Sequence, residues 1–231
     1  GWTAAAAIDN SAGRIANLIG ADRDEIIFTS GATEANNLSI LGSCRRADRK
    51  RNRILLSAIE HKSVVAVGRV LEEQLDFEVQ LIPVDQNGRV VLSEFEAMLD
   101  ADVFLVSVMA VNNEIGTIQD VESIAAMTRD TGALMHCDAA QAPFAIDLSS
   151  VADSVDMLSL SSHKMYGPKG VGALFVRKGV KLPPLLFGHQ ERARRGGTEN
   201  VPGIVGLGVA AALALEDMNA DTARMRALRD R

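Results

Sequence analysis

The sequence predicts an α/β protein with a three-layer α/β/α arrangement around a mostly parallel sheet. Short apolar segments alternate with helix-like segments along almost the whole chain of 231 residues. Strands that are apolar on both faces and separated by helices are typical of a parallel sheet covered on both sides. The last two predicted strands are joined by residues 161–171, which are too few for a crossover helix. We therefore expect one strand, 172–176, to run antiparallel to a neighbour.

The predicted strands are short apolar runs. In chain order they are "EIIFTS" (25–30), "RILLSA" (53–58), "EVQLIPV" (78–84), "DVFLVSV" (102–108), "ALMHCD" (133–138), "VDMLSL" (155–160) and "GALFV" (172–176). The turn residues "DQNG" close the third strand.

The predicted helices lie between these strands. The first is rich in Ala, and the last is rich in Ala, Leu and Gly. In chain order they cover 3–19, 33–48, 62–75, about 93–99, 120–131 and 203–218. The final residues, 221–231, are predicted to begin a further helix that stops without a cap.

Length and composition favour one large globular domain covering 1–231. Hydrophobic residues make up 47% of the chain and charged residues 23%, which excludes wholesale disorder. The chain is long enough to bury a substantial core. Because it begins with Gly1 rather than Met and its last helix lacks a cap, we expect the domain to be truncated at both ends.

Charge and cysteine content exclude some classes of protein. The net charge of −6 argues against binding to nucleic acid through phosphates. The basic run "CRRADRKRNR" (44–53) is interpreted as the solvated end of a helix. Two cysteines form no disulfide framework and fit a reducing compartment. We find no signal peptide and no apolar run that would span a bilayer, so we expect a cytoplasmic protein with no membrane partner.

Polar residues follow five of the predicted strands at the edge where ligands bind in open α/β sheets. Alone, each group has an ordinary explanation, such as a helix N-cap, a structural histidine or an Asn-rich turn. Together they predict a site. The groups are Gly31-Ala32-Thr33, a form suited to phosphate; Glu60-His61-Lys62; Asn112-Asn113-Glu114; Asp138 with Gln141; and Ser161-Ser162-His163-Lys164.

Two other ligand classes are disfavoured by the sequence. In "HCD", alternation along a strand places His136 and Asp138 on one face and Cys137 on the other, so the three cannot bind one metal ion. The glycines of "GLGVAA" (206–211) loosely fit a dinucleotide-binding pattern. The acidic residue expected about 20 residues further on, at the end of a second strand, is missing. We interpret this segment as a helix that packs its small residues against the sheet.

Asp138 and Lys164 suggest a particular chemistry. They lie 26 residues apart, each just past its own strand. A carboxylate, a lysine amine and a phosphate cradle at one sheet edge are what a pyridoxal 5'-phosphate (PLP) site requires. The amine condenses with the cofactor aldehyde, so we expect Lys164 to be partly desolvated. The carboxylate holds the pyridine nitrogen protonated.

Six motifs together resemble one enzyme family. They are "FTSGATEANN", "EHKSV", "VNNEIG", "DAAQ", "SSHKMYGPKG" and "RRGGTEN". In this order they resemble the cysteine desulfurases of the NifS/IscS type, which belong to the class V aminotransferase group of fold-type I PLP enzymes. The resemblance implies the large domain of a PLP-dependent transferase. It also implies conversion of L-cysteine to L-alanine, with sulfur carried as an enzyme persulfide for iron–sulfur cluster assembly.

The resemblance assigns roles around the cofactor ring. It implies that Lys164 forms the Schiff base and that Asp138 pairs with the pyridine nitrogen. His61 would stack on the ring and move protons. Gln141 would bind the phenolic oxygen, and Asn113 would lie beside cofactor and substrate.

The resemblance also implies how the phosphate is held. Thr198 matches a threonine that reaches the phosphate of the neighbouring subunit, which implies a homodimer. Ser162 stands where many relatives have glycine, a departure that concerns only the local turn. The residues implied to bind the phosphate within the chain are Ala32, Thr33, Ser161 and His163.

Parts of the implied active site are absent from the sequence. The family's persulfide-forming cysteine and an arginine for the substrate carboxylate belong to a C-terminal region, with the small domain, beyond this chain. Cys44 and Cys137 do not fit the cysteine-loop pattern and are predicted to be buried. We therefore expect the cofactor domain of a desulfurase, inactive alone, whose full-length form serves a sulfur acceptor or iron–sulfur scaffold protein. Two alternatives stay open: another class V PLP enzyme, such as an aminotransferase or a selenocysteine lyase, and a non-catalytic module of this fold.

Overall fold

The computed structural model describes residues 1–45 and 50–231, and its centre is a twisted sheet with helices on both faces. The strands are β1 (Ile26–Thr29), β2 (Arg53–Ser57), β3 (Glu78–Ile82), β4 (Val103–Ser107), β5 (Leu134–Asp138), β6 (Met157–Ser161) and β7 (Gly172–Val176). The helices are α1 (Trp2–Ile19), α2 (Ala32–Cys44), α3 (Lys62–Leu75), α4 (Leu92–Met98), α5 (Val121–Thr131), α6 (Leu148–Ser154) and α7 (Val201–Arg229). Short 3₁₀ turns cover Arg23–Glu25, Ser162–Met165 and Glu191–Ala193.

The sheet order is β1-β7-β6-β5-β4-β2-β3. Strands β6, β5, β4, β2 and β3 pair in parallel, and β7 pairs antiparallel with both β1 and β6. The predicted fold class, including the one antiparallel strand, is therefore confirmed. Since β1 runs in the same direction as β6, the carboxyl ends of all six co-directional strands meet at one edge of the sheet.

Two apolar clusters fill the spaces between the sheet and the helical layers. Helices α2 and α3 contribute buried residues such as Leu38 and Leu71 to one cluster. Helices α1 and α4–α7 contribute residues such as Ile15, Phe95 and Leu207 to the other. Each strand has apolar side chains for both clusters, which is why the strands read as continuous apolar runs.

A close backbone contact holds the β1–α2 turn against β7. Gly172 pairs with Thr29 of β1 on one side and Ser161 of β6 on the other. A Cβ atom at Gly172 would lie 2.6 Å from the Cα of Gly31 and 2.6 Å from the carbonyl oxygen of Leu160. Gly31 itself has φ +150°, a conformation that favours glycine. Two glycines thus allow the first turn of α2 to lie beside the end of β6.

The seven strands were predicted in the correct positions, with ends that differ by at most two residues. Helix α6 was missed, because its seven residues are too short for a periodic apolar pattern to stand out. Its start is marked by Asp147, whose side chain accepts a hydrogen bond from the Ser149 backbone N–H. The helix predicted over 33–48 is observed as α2 to Cys44; residues 46–49, which belong to the predicted basic run, lie outside the described residues.

Helix α7 differs from the prediction in length. The separate helices expected at 203–218 and from 221 are one helix of 29 residues, since no glycine or proline interrupts the chain between them. Its segment Val201–Met218 has a mean hydropathy of 1.5 and is long enough to cross a bilayer, so the expectation that no such run exists was wrong. Its buried side chains, including Leu207 and Ala211, lie in the same cluster as α1. Gly208 packs against Ser11 of α1, rather than against the sheet as predicted.

Candidate functional site

One cavity of about 230 Å³ lies at the carboxyl edge of the sheet. Met109, Val111 and Ala140 line it in addition to predicted residues. The strand-end side chains therefore come together as the topology requires. The predicted site residues that line it are Ala32, Thr33, His61, Asn113, Asp138, Gln141, Ser161, His163 and Lys164.

At one end of the cavity, the first turn of α2 meets the end of β6. Ala32 and Thr33 begin α2, so their backbone N–H groups belong to the helix end that lacks intrahelical partners. Ser161 ends β6, and its hydroxyl lies 3.0 Å from Nδ1 of His163. Burial, followed by the charge of Lys164, lowers the pKa of His163. This end therefore offers N–H groups, hydroxyls and a neutral imidazole, which suit an anion.

Beside this end, Glu34 is neutralised within the protein. Its carboxylate accepts hydrogen bonds from Arg195 Nε and from the Ser30 backbone N–H, both at 2.7 Å. Burial raises the pKa of Glu34, but the hydrogen bonds from Arg195 and Ser30 outweigh it and leave the pKa below its ordinary value. The carboxylate is thus charged and paired, so it does not repel an anion at the start of α2.

Asp138, which lines the same cavity, is a buried hydrogen-bond acceptor. It ends β5 and is only 4% exposed. Oδ1 accepts from the Ala140 backbone N–H at 3.0 Å, and Oδ2 accepts from Nδ2 of Asn36 at 2.7 Å. Burial raises the pKa of Asp138, although these two hydrogen bonds and the charges of His61 and Lys164 act in the opposite direction. A cationic ring nitrogen beside it would favour the carboxylate form.

His61 is held by the start of α3, of which it is the N-cap. Its Nδ1 accepts the Ser63 backbone N–H at 3.2 Å and lies 2.8 Å from the Ser63 hydroxyl. Ser63 in turn accepts a hydrogen bond from Asn36 at 3.0 Å. Because a backbone N–H points at Nδ1, we assign the proton of the neutral ring to Nε2.

Lys164 lies in the 3₁₀ turn that follows β6 and is exposed to solvent. The predicted partial desolvation of this amine is therefore contradicted within this chain. The turn follows directly on Ser161, the last residue of β6, at the carboxyl edge of the sheet. The predicted juxtaposition itself is confirmed, since Lys164 and Asp138 line the same cavity and the charge of the lysine acts on the pKa of the carboxyl.

Thr198 is the predicted site residue that the structure does not bring to this cavity. It is exposed and lines a separate, smaller cavity with Thr29, Ser30 and Arg195. Its position on the outside of the site, in the loop before α7, leaves it free to contact another molecule. Its expected role toward a second subunit stays a prediction.

Both cysteines are buried, as predicted. Cys44, the last residue of α2, packs in the cluster between α2, α3 and the sheet, and Cys137 packs in the cluster on the opposite face of the sheet. Burial, together with the nearby Asp138 and Glu60 carboxyl groups, raises the pKa of the Cys137 thiol. The thiolate, which is the nucleophilic form of cysteine, is therefore disfavoured there.

The histidine of "HCD" is a structural residue. His136 is fully buried and lies between two hydroxyls, with Ser107 Oγ at 2.8 Å from Nδ1 and Ser159 Oγ at 2.9 Å from Nε2. Burial lowers its pKa to about 3, so the ring is neutral. Among residues 1–45 and 50–231, no three metal-ligating side chains are grouped in a way that could hold an ion.

Glu60 was noted in the sequence without a role, and the structure supplies one. Its Oε1 accepts hydrogen bonds from the Ser57 hydroxyl at 2.8 Å and from the Met109 backbone N–H at 2.6 Å. It thereby joins the loop that carries His61 to the loop after β4, which carries Asn113. Burial, and then the charge of Asp138, raise the pKa of Glu60 to about 8.

Asn36 and Ser63 were missed by the sequence analysis. Asn36 is four residues after Ala32 on α2, so the helical period places the two on the same face, and this spacing could have identified it. Ser63 gave no comparable signal, because serine in the first turn of a helix is ordinary. Met109, Val111 and Ala140 are apolar residues close to the polar motifs and gave none either.

The set of side chains fits PLP. The start of α2 and the end of β6 suit a phosphate, Asp138 provides a buried carboxylate for a ring nitrogen, and the Lys164 amine and the His61 imidazole line the same cavity. Gln141 is placed on the loop after β5, where its amide can donate to a ring substituent. These groups are complementary to a flat ring with a phosphate, a basic nitrogen and an aldehyde.

Comparisons with known proteins agree on one family. The Aminotransferase class-V family profile matches residues 1–230. The chain is 48% identical over 216 residues to a cysteine desulfurase of Gluconacetobacter diazotrophicus, an alignment that covers 93% of this chain and 54% of that protein. The chain therefore spans about half the length of this relative.

Solved structures show the same fold. A NifS-like protein superposes with a TM-score of 0.96 at 39% identity, covering 100% of this chain and 64% of the other. A structure described as SspA in complex with cysteine superposes with a TM-score of 0.85 at 40% identity, covering 90% and 61%.

Proposed function

The chain belongs to the class-V aminotransferase family, whose members depend on PLP, and from this premise we propose that it is the cofactor-binding part of a cysteine desulfurase. The observation that carries the proposal is the cavity in which Asp138, His61 and Lys164 lie with an anion-binding helix start. The activity is supported by the desulfurase name of the relative at 48% identity and by the cysteine complex of the SspA structure.

When bound, PLP supplies an aldehyde for a lysine amine and a ring that stabilises negative charge at the substrate Cα. Asp138 would hold the ring nitrogen, and its bonds from Asn36 and Ala140 keep its oxygens in the acceptor orientation. Lys164 supplies the amine and takes up or returns the Cα proton. His61 carries its exchangeable proton at Nε2, since Nδ1 is held by Ser63.

The N-terminus of α2 and the 3₁₀ turn after β6 would hold the phosphate. Thr33, Ser161 and His163 would contribute polar side chains, and the N-terminus of α2, where Ala32 and Thr33 line the cavity, would contribute backbone N–H groups. Gln141 would bind the phenolic oxygen, and Asn113 would lie beside the substrate. The Glu34–Arg195 pair keeps a carboxylate near this anion neutralised.

We place the persulfide-forming cysteine outside these residues. Cys137 lies in the core with a raised thiol pKa, and Cys44 is 1% exposed at the end of α2. Neither can meet a substrate sulfur in the cavity. In the complete enzyme, the sulfur of L-cysteine passes to a thiolate, L-alanine is released, and the sulfur reaches an acceptor or an iron–sulfur scaffold protein.

We further propose a cytoplasmic homodimer. The exposed position of Thr198, beside Arg195 and outside its own chain's cavity, supports a role toward the phosphate of a second subunit. Analytical ultracentrifugation of the full-length protein tests this. A full-length wild type that sediments as a monomer while it binds PLP, or a Thr198→Ala variant that binds PLP as tightly as the wild type, would contradict it.

The experiment that tests the function uses the full-length protein that contains this chain. We expect a visible absorption band after PLP addition and release of alanine and sulfide from L-cysteine. Lys164→Ala should abolish both, whereas Lys181→Ala, a change of an exposed lysine away from the cavity, should leave both unchanged. The isolated 231-residue chain should release neither product.

Each alternative gives its own result. A wild-type protein that stays colourless and cannot be reconstituted is the outcome expected of a non-catalytic module. A coloured protein that transfers amino groups, or acts on selenocysteine but not cysteine, would be another class-V enzyme. Either result refutes the desulfurase proposal.

A further inference from the structure

A chain of hydrogen bonds links Asp138 to His61 through two residues outside the predicted site. Nδ2 of Asn36 donates to Asp138 Oδ2 at 2.7 Å and to the Ser63 hydroxyl at 3.0 Å. The Ser63 hydroxyl lies 2.8 Å from His61 Nδ1. The four residues belong to α2, β5 and the start of α3, so these hydrogen bonds connect three separate elements around the cavity.

The chemistry of Asn36 determines which groups donate and which accept along this series of hydrogen bonds. Its amide nitrogen has two N–H donors, and both are used. If the amide were rotated by 180°, its oxygen would face the Asp138 carboxylate, and two acceptors would oppose each other. The Oδ1 atom of Asn36 is buried without a hydrogen-bond partner. The amide therefore leaves its acceptor unsatisfied, at a free-energy cost, in order to place both donors.

The Ser63 hydroxyl donates its hydrogen bond to His61. Because the Ser63 hydroxyl accepts the N–H of Asn36, its own hydrogen is available for His61 Nδ1. The Ser63 backbone N–H donates to the same nitrogen. Nδ1 is thus an acceptor, and Nε2 is the ring nitrogen that can exchange a proton with a ligand in the cavity.

Resting on the proposed function, we propose that Asn36 is a positioning residue that fixes the orientation of Asp138 and, through Ser63, the Nε2-protonated tautomer of His61. Asn36 does not line the cavity itself. It acts directly on Asp138 and, through Ser63, on His61, and both of these residues line the cavity. The cofactor-binding carboxylate and the proton-transferring imidazole are thereby oriented by one buried amide. Loss of the amide should weaken cofactor binding, and loss of the Ser63 hydroxyl should slow proton transfer.

Cofactor affinity tests the first half of the proposal. In the full-length protein, Asn36→Leu replaces the amide by an apolar group of similar volume. Because the lost bond joins a charged acceptor, the Kd for PLP should rise by about 10- to 100-fold. Ser63→Ala keeps the Asn36–Asp138 bond and should change the Kd by less than about twofold. Asn10→Leu, on the exposed face of α1, is the matched control and should leave the Kd unchanged.

The His61 tautomer tests the second half without any cofactor. Nitrogen-15 NMR of the histidine-labelled apo protein, with His61 assigned through a His61→Gln variant, should show an unprotonated Nδ1 and a protonated Nε2. Ser63→Ala removes the hydroxyl at 2.8 Å and leaves Nδ1 with only the longer backbone N–H bond at 3.2 Å, so the ring should shift partly toward the Nδ1-protonated tautomer. Ser63→Thr keeps the hydroxyl and should restore the wild-type signal. With cysteine, Ser63→Ala should lower kcat with KM little changed.

The outcomes separate this inference from the proposed function. If the wild type binds no PLP, the function proposal fails, and the NMR result alone decides the inference. If the wild type is active but Asn36→Leu binds PLP equally well, or wild-type His61 is protonated at Nδ1, the inference is overturned. Should Asn36→Leu not fold, the Ser63→Ala and Ser63→Thr pair and the apo spectrum still decide.

Discussion

Glu60→Gln should remove a pH dependence of stability that the wild type shows. Glu60 is 8% exposed, and burial and then the charge of Asp138 raise its pKa from 4.5 to about 8. The folded protein therefore binds this proton more tightly than the unfolded chain does. The stabilisation is complete below pH 4.5 and is lost as the pH rises through 8. Glutamine keeps an acceptor oxygen for Ser57 and Met109 but cannot ionise.

The magnitude follows from the shift of pKa. Each pKa unit corresponds to about 1.4 kcal/mol, and roughly two units of the difference between 4.5 and 8 are traversed between pH 5.5 and pH 8. The wild type should thus lose about 3 kcal/mol relative to Glu60→Gln over this range. For a protein of this size that is about 6–12 °C in Tm.

The assay is thermal and urea unfolding of both apo proteins at pH 5.5 and pH 8. Taking the difference between the two proteins cancels the titration of groups they share. If the difference in unfolding free energy is the same at both pH values, Glu60 is not held as a neutral acid, and the reasoning is refuted. A Glu60→Gln protein that becomes relatively less stable as the pH rises would contradict even the sign.

Three further predictions concern the packing around the site. Gly172→Ala should destabilise the protein by about 1–3 kcal/mol in urea unfolding, because its Cβ would meet backbone atoms. The control Gly13→Ala places a Cβ in open space on α1 and should not destabilise the protein. Equal effects of the two substitutions would be evidence against the close contact at Gly172. Ser162→Ala removes a buried hydroxyl without a partner and should be neutral or stabilising by up to about 1 kcal/mol; a loss above about 2 kcal/mol would show that the hydroxyl is satisfied. Arg195→Ala leaves the Glu34 carboxylate unpaired beside the anion site and should weaken PLP binding in a fluorescence titration. Adding Glu34→Gln to the Arg195→Ala protein should recover most of the lost affinity. No recovery would refute the electrostatic argument.

Much of the fold was predictable because the strands carry apolar residues for two clusters. A segment such as Val103–Ser107 is buried on both faces and is recognisable from composition alone. The antiparallel β7 followed from the short connection at 161–171. Helix α6 and the continuity of α7 were not predictable in this way, since a short helix gives little periodic signal and an uncapped join gives no stop signal.

The site was predictable where its residues follow strands directly. Asp138 and Ser161 end their strands, and Lys164 lies three residues beyond, so the topology alone brings them to one edge. Asn36 lies within a helix, and its role depends on which face of α2 meets β5. The exposure of Lys164 depends on how far a turn projects beyond the sheet. Both are properties of tertiary packing, which local sequence does not contain.

The insertion of β7 between β1 and β6 makes the binding cavity depend on pairing between segments that are far apart in the sequence. Gly172 pairs with Thr29, so β1 forms its sheet hydrogen bonds with residues about 143 positions later in the sequence (172 minus 29). The anion-binding end takes Thr33 from one side of this junction and His163 from the other, so β7 joins the two elements that form it. A ligand that requires both would bind the completed sheet alone and would stabilise it by mass action. Absorbance of the bound cofactor would then report the fraction of molecules in which β1 and β7 have paired.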